Sequence, residues 1–411
     1  AILKRYNPKI VAITGSVGKT STKDAIHAVL SSAFYVRKSE KSFNTEIGIP
    51  LTILGRPNAW GSIIKWIKNL GDGLLTILIR LPYPKWLVLE MGIDRPGDML
   101  RATRWISPDI VVFTVFPTVP VHVEYFSDPQ EVIEEKKLLA RALKEDGVLI
   151  LNYDDERVRN VAKETMNKVL FYGFEQGSDF KASNVAFTYE EGSVSGISFR
   201  VDHNGKSVPI SIRGVLGRHH VYPHLAALAV GASQGLNLIS MADALSAYDH
   251  APGRMNLIAG IKRTQIIDDT YNSSPTAADE ALDTLKSLEV KGKKIAVLGD
   301  MLELGSYAQE AHRNVGAKAA ECADLLLAVG IRARFIAEGA EAAGMDLSRI
   351  IEIGDAVEAG RYLLEHVEEG DVVLVKGSQG MRMERVVETV MAHPEDKKRL
   401  LVRQDPEWKT R

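Results

Sequence analysis

The sequence is nearly devoid of cysteine. Cys322 stands alone among 411 residues, so no internal disulfide can form, which fits a reducing compartment. It lacks an excess of charge. Against 51 Lys and Arg stand 53 Asp and Glu, a formal net charge of −2, and this removes the global basic field that nucleic-acid binding uses. No signal peptide, internal repeat or low-complexity tract is visible, and charges interrupt the most apolar stretch, which argues against a spanning helix. The first residue is Ala1 and not Met, as in a fragment or a processed chain. What remains is an ordinary globular composition, 45% hydrophobic and 25% charged. The length suits two or three domains.

Strand-like and helix-like segments alternate. "KIVAIT", "WLVLEMG", "VVFTV", "GVLILN", "KIAVLGD", "LLLAVG" and "DVVLVKGS" are short apolar runs ending in polar or glycine residues. "TSTKDAIHAVLSSA" has helical spacing, with Ala25, Ile26, Val29 and Leu30 on one side. This order predicts α/β architecture with parallel sheets, and ligands at the carboxyl ends of strands. Residues 178–213 alternate apolar and polar and carry turn signals at "EEGS" and "HNGK", which predicts a small antiparallel β insertion. A domain boundary is expected near "APGRMNLIAG", dividing the chain into an α/β part over 1–255 and a second, Rossmann-like α/β part over 256–411. The charged tail reads as an extended or helical end. Cys322, in "AKAAECADLLLAVG", reads as a small buried residue between helix and strand, because no His lies near it in sequence.

"IVAITGSVGKTST" carries the clearest chemistry. A strand stops at Gly15, turns through Ser16 and Gly18, and delivers Lys19, Thr20 and Ser21 to a helix start. Glycines let the backbone approach an anion, and the helix N-terminus adds partial positive charge. Lys19 can span β- and γ-phosphates, and the Thr20 hydroxyl suits Mg²⁺. The spacing, G-x-x-G-K-T, is two residues shorter than the general phosphate loop. A magnesium phosphate site needs further hard oxygen ligands at other strand ends. Glu90, closing "WLVLEMG", is one candidate, and His122 is a second candidate residue. "DDTYNSSP" at 268–275 either holds a ribose and base or is a turn with a helix cap. Arg254 can place a cation on phosphate from the interdomain edge, and "VLVKGSQGMRME" ends a strand in another plausible anion site. By charge alone, Lys136 and Lys137 read as a solvated helix face.

Residues 56–85 stand apart. Arg56, Lys65, Lys68, Arg80 and Lys85 face Asp72 alone, a balance of +4, with Trp60, Ile63, Ile64, Trp66, Ile67 and Leu70 interleaved. Two readings stand: an interfacial amphipathic helix at a membrane surface, or a helical hairpin packed on the domain with Trp as core.

Together these residues resemble the Mur ligase family, ATP-dependent amide ligases of peptidoglycan precursor synthesis and so of the cell wall. "ITGSVGKTST" is similar to the family's short phosphate loop. "SFNTEIGIPLTIL", "LVLEMG", "LNYDD", "APGRM", "DDTYNSSP", "LGDMLELG" and "VLVKGSQGMRMERVV" look most like the branch that adds D-alanyl-D-alanine. The resemblance implies cytoplasmic work on ATP, two Mg²⁺ ions, a muramoyl-peptide nucleotide and D-alanyl-D-alanine. It implies ATP and metal roles for Lys19, Thr20, Glu90 and His122, and carbamylation of Lys136 or its neighbour Lys137. Arg254 would contact phosphate; Asp269, Tyr271 and Asn272 would lie along the nucleotide; Asn44, Thr45 and Glu46 would lie near the growing substrate. Lys376 and Ser378 would face the incoming amine. The implied reaction passes the γ-phosphoryl to a carboxylate, and an amine then displaces phosphate from the acyl phosphate. The family usually has an N-terminal domain for the UDP part, whereas here only a short segment precedes the first strand. His220 and Pro223 stand where the family tends to have asparagines. The stretch 56–85 is longer than the branch leads one to expect, and would keep the enzyme at the inner face of a membrane. A ligase with another acceptor, such as a folylpolyglutamate-type enzyme, and a non-catalytic ATP-binding scaffold are the competing readings.

Overall fold

The computed structural model describes residues 1–39, 46–116, 125–248, 250–405 and 408. Among the described residues the strands form two sheets. The first uses β1 (Lys9–Thr14), β2 (Val36–Lys38), β3 (Trp86–Glu90), β4 (Ile110–Phe113), β5 (Val148–Asn152), β6 (Lys168–Gly173), β7 (Phe180–Glu190), β8 (Ser193–His203) and β9 (Lys206–Arg213), in the order β2-β3-β1-β4-β5-β6-β7-β8-β9. The second uses β10 (Asn256–Ala259), β11 (Gln265–Asp269), β12 (Lys294–Gly299), β13 (Leu325–Val329), β14 (Ile350–Ile353) and β15 (Val372–Lys376), in the order β10-β11-β15-β12-β13-β14. The expected α/β class is the one found.

In the first sheet β1 lies between β3 and β4, paired parallel to both. Its residues Ile10 to Thr14 are all buried, as a strand covered on both faces requires. The chain leaves β1 toward β2 and β3 and reaches β4 on the other side. The carboxyl end of β1 is therefore a topological switch point, where such sheets bind ligands. The helix Lys19–Ser31 that follows buries Ala25, Ile26, Val29 and Leu30 completely. Those are the four residues that helical spacing places on one side.

The antiparallel segment over 178–213 is present, but it is an extension of the sheet. Residues Phe180 and Lys181 of β7 pair parallel to Tyr172 and Gly173 of β6, and β8 and β9 follow antiparallel. In the second sheet only β10 runs antiparallel. One apolar cluster includes Ile26 and Val29 under the first sheet, Val215, Leu216 and Met255 at the join, and Ile267 and Leu298 of the second. Cys322 ends a helix and is buried, as its sequence context predicts. No helix among the described residues is long and apolar enough to cross a membrane.

Candidate active site

The loop after β1 is built by contact with β4. Gly15 has φ +135°, and a Cβ there would lie 2.0 Å from Thr114 Oγ1, so only glycine permits this approach. Ser16 N donates to Val115 O at 2.9 Å. Gly18 also has a left-handed backbone, and no atom lies within 4 Å of the place its Cβ would take, which leaves the helix N-terminus open to an anion.

Lys19 as a residue is half-buried, yet protein surrounds its ammonium. This desolvation lowers its pKa, Glu90 and Asp94 oppose the shift, and Arg254 adds to it. Lys19 Nζ donates to Gly15 O (3.1 Å) and Ser16 O (3.2 Å) of its own loop. Thr20 Oγ1 donates to Glu90 Oε2 at 2.9 Å. Arg254 Nη2, from the far side of the cleft, donates to the same Thr20 oxygen at 2.9 Å. The Arg254 guanidinium sits 4.1 Å from the Tyr271 ring centroid, a stacking that fixes its plane.

Lys136 is buried on the helix Pro129–Arg141, and its Nζ donates to Ser16 Oγ at 2.8 Å. Burial, and then the positive charge of Lys19, push its pKa well below the usual lysine range. The charge reading of a solvated face fails for Lys136, while Lys137 is half-buried and its Nζ binds Glu134 and Glu164. Helix geometry separates the two: adjacent residues point about 100° apart.

The opposite wall comes from the second sheet. Asp269 and Lys376 are register partners at the ends of β11 and β15, and Lys376 Nζ lies 2.5 Å from Asp269 Oδ2. The same Nζ donates to Asn272 O at 3.0 Å. Ser378 Oγ accepts from Leu302 N at 2.8 Å. Between the walls lies a cleft of about 660 Å³. Of the expected residues, Ser16, Gly18, Lys19, Thr20, Ser21, Glu90, Arg254, Asp269, Tyr271, Asn272, Lys376 and Ser378 line it. Glu46 does not; its carboxylate is taken by Arg101. Asn44, Thr45 and His122 lie outside the described residues.

Sequence reasoning left several lining residues without a role. Glu280 reaches the cleft from the helix Pro275–Ser287, 3.6 Å from His219. Glu303, inside the "LGDMLELG" motif, lines it with φ +62°, and that strained backbone is invisible in sequence. His220, flagged as a departure, is buried and lines the cleft, with burial holding its pKa well below the ordinary histidine value. Arg403 lies in the charged tail, which the sequence reads as an extended or helical end. It is buried, pairs with Glu384 at 2.8 Å and donates to Thr270 O at 3.1 Å and to Tyr271 O, so the tail braces the loop that carries Tyr271.

Asp268 points away from the cleft, as alternation along a strand requires. It is fully buried, and desolvation pushes its pKa up to about 7, the neighbouring Asp269 and Glu384 adding to the shift while hydrogen bonds from Thr270 oppose it. A raised carboxyl pKa means that the folded state binds the proton more tightly than the unfolded chain. Stability is therefore highest below the unfolded value and falls as pH rises toward 7. Asp268→Asn is expected to flatten that slope and to gain on the order of 3 kcal/mol over the parent at pH 8. Denaturant unfolding at pH 5 and pH 8 checks it, and equal slopes for the two proteins would contradict it.

The oxygen donors fit Mg²⁺. Thr20 and Glu90 present a hydroxyl and a carboxylate in contact, both hard ligands. Among the described residues no cluster of three His, Cys, Asp or Glu side chains could hold an ion alone. An ion here would complete its shell with phosphate oxygens and water, as Mg²⁺ does.

Comparison with known proteins gives the family and the fold. The Mur ligase middle domain matches residues 13–64 and 74–231, and the Mur ligase glutamate ligase domain matches residues 253–379. UDP-N-acetylmuramoyl-tripeptide–D-alanyl-D-alanine ligase of Bacillus subtilis is 32% identical over 398 residues, 96% of this chain and 78% of that protein. The MurF ligase of Thermotoga maritima in complex with ADP superposes with a TM-score of 0.74 at 26% identity, over 94% of this chain and 80% of that one. A MurF structure from Acinetobacter baumannii has the same fold, with a TM-score of 0.76 at 23% identity and coverage of 94% and 77%. The two matched domains together cover most of the chain, and the chain belongs to the Mur ligase family of ATP-dependent ligases.

Proposed function

We propose that this enzyme joins D-alanyl-D-alanine to the peptide of a UDP-N-acetylmuramoyl-tripeptide, with ATP and in the cytoplasm. The observation that carries the substrate assignment is the 32% identity, over 96% of the chain, to an enzyme named for that reaction. The chemistry of the cleft supports it. Residues 1–255 would hold ATP, and residues 256–411 would present the amine.

The reaction needs no nucleophile from the protein. Phosphoryl transfer depends on positioning and charge neutralisation. Gly15, Ser16 and Gly18 would cradle the phosphates, with Lys19 on the β- and γ-oxygens and Arg254 approaching from the domain junction. Thr20 and Glu90, with His122 as an expected further ligand, would hold Mg²⁺, which supplies charge neutralisation on the phosphates. Lys136 is the candidate for carbamylation, because only a neutral amine adds CO₂ and its buried position favours that form. Asp269, Tyr271 and Asn272 would lie along the nucleotide, and Asn44, Thr45 and Glu46 along the acceptor. In the reaction the substrate carboxylate oxygen attacks the γ-phosphorus and ADP leaves. The amine, oriented beside Lys376 and Ser378, then attacks the acyl carbon; inorganic phosphate leaves and the amine proton passes to solvent. Cleft closure keeps water from the acyl phosphate. Contact of residues 56–85 with a membrane surface is a separate reading.

Phosphate release from ATP and Mg²⁺ tests the assignment. Release is expected only with both UDP-muramoyl-tripeptide and D-alanyl-D-alanine present. Release with a different amine or acceptor would overturn the substrate assignment, and absence of release with ADP binding intact would overturn it as well.

A further inference from the structure

The helix Ile63–Leu78 is amphipathic in the reverse sense to a surface helix. With adjacent side chains about 100° apart, its protein side carries Asn69 and Gly73, its two buried residues. Asn69 Nδ2 donates to Pro57 O at 3.0 Å. A Cβ on Gly73 would lie 2.9 Å from Leu54 Cδ2, so the backbone packs closely there. The opposite side carries Ile63, Ile64, Ile67, Leu70, Leu74 and Leu78, each between 56% and 81% exposed. A helix that served only the fold would bury these residues and face water with polar ones. Ile79 and Leu81, just beyond, are exposed too. The expected alternative, tryptophan as core, is not what forms: Trp66 Nε1 donates to Trp60 O at 3.0 Å in an exposed setting.

Charge identifies the occupant. The exposed Lys65 and Lys68 border the apolar stripe on one side and Trp66 borders it on the other, by the same 100° step. Arg80 and Lys85 follow and are exposed. Asp72, the one acid of the stretch, is tied to Arg56 at 3.0 Å. The Mur ligase middle domain matches 13–64 and 74–231, so the centre of this helix lies between the matched segments and outside the shared catalytic fold. Sixteen residues span about 24 Å, and the helix is not apolar or long enough to cross a bilayer.

We infer that the helix Ile63–Leu78 seats the enzyme on an anionic lipid bilayer. It lies in the interface plane, with the isoleucines and leucines in the acyl boundary and Lys65, Lys68, Arg80 and Lys85 on headgroup phosphates. A second copy fits less well, because an antiparallel two-fold pairing of these faces sets Lys65 and Lys68 of both copies on the same side. The inference stands independently of the ligase assignment.

The test is sedimentation of the full chain, without ATP or substrates, with vesicles of phosphatidylcholine alone or mixed with phosphatidylglycerol. Binding is expected to the mixed vesicles, weakening as NaCl is raised, with a blue shift of tryptophan emission. Ile67→Glu/Leu74→Glu is expected to bind at least ~10-fold more weakly, and Lys65→Gln/Lys68→Gln to lose mainly the phosphatidylglycerol dependence. Unchanged ADP binding by both variants shows that they fold. Absence of binding by the parent chain would overturn the inference, as would equal binding by the glutamate variant. So would a lipid-indifferent parent dimer that the glutamate variant turns into a monomer, because a second copy would then cover the face.

Discussion

Lys19→Ala is expected to reduce phosphate release by at least ~10³-fold while leaving the protein folded. Among the described residues the side chain hydrogen-bonds only to Gly15 O and Ser16 O, carbonyls of its own loop. Its removal leaves no distant partner stranded, so the structural loss is small. The functional loss is large because its ammonium stands at the switch point, beside Thr20 and Glu90, in a desolvated site where one charge acts strongly. Arg254 remains, but it binds Thr20 from the other wall and cannot reproduce a cation tethered to the loop. Lys19→Arg is expected to recover little, since a planar fork does not replace a compact ammonium in this turn. Phosphate release and ADP binding, measured on the same preparation, separate the effects. Turnover within tenfold of the parent would show that this loop is not the phosphoryl-transfer site, and would turn belief toward a nucleotide-binding scaffold.

Lys376→Met is expected to destabilise the protein by about 3–5 kcal/mol, the usual cost of stranding a buried charge. Lys376 is 2% exposed and Asp269 13% exposed as side chains. The ammonium also satisfies Asn272 O, so the loss strands a carboxylate and a carbonyl together. The loop of Tyr271 and Asn272 should loosen, and Arg254, stacked on Tyr271, should lose its fixed plane. Adding Asp269→Leu is expected to recover much of the stability and none of the activity, because it removes the stranded charge without restoring the site. Urea unfolding with and without ADP reads the first effect, and phosphate release the second. A single variant as stable as the parent would show that Asp269 is solvated in solution.

The phosphate loop was legible because its chemistry is local. A strand, two glycines, Lys19, Thr20 and a helix start lie within a dozen residues, and backbone geometry follows from that order. The strands were legible for the same reason: buried parallel strands are short apolar runs. Glu90, Arg254, Asp269 and Lys376 were marked by their places at strand ends and at the domain join. Lys136 was not marked by any local signal. Its environment comes from Ser16 and Lys19, more than a hundred residues away in the chain, and only the family resemblance pointed to it.

The sequence by itself determined the two-sheet α/β class, the loop that meets phosphate and the cationic, tryptophan-bearing stretch, because each is written in the spacing of near neighbours. Tertiary structure decided what those parts face. It set Arg254 on Thr20, Lys376 on Asp269 and Arg403 under Tyr271, and it turned the apolar side of the helix Ile63–Leu78 outward. Periodicity says which residues share a face of a helix, but the direction of that face depends on what packs behind it. Here Asn69 and Gly73 pack against Pro57 and Leu54.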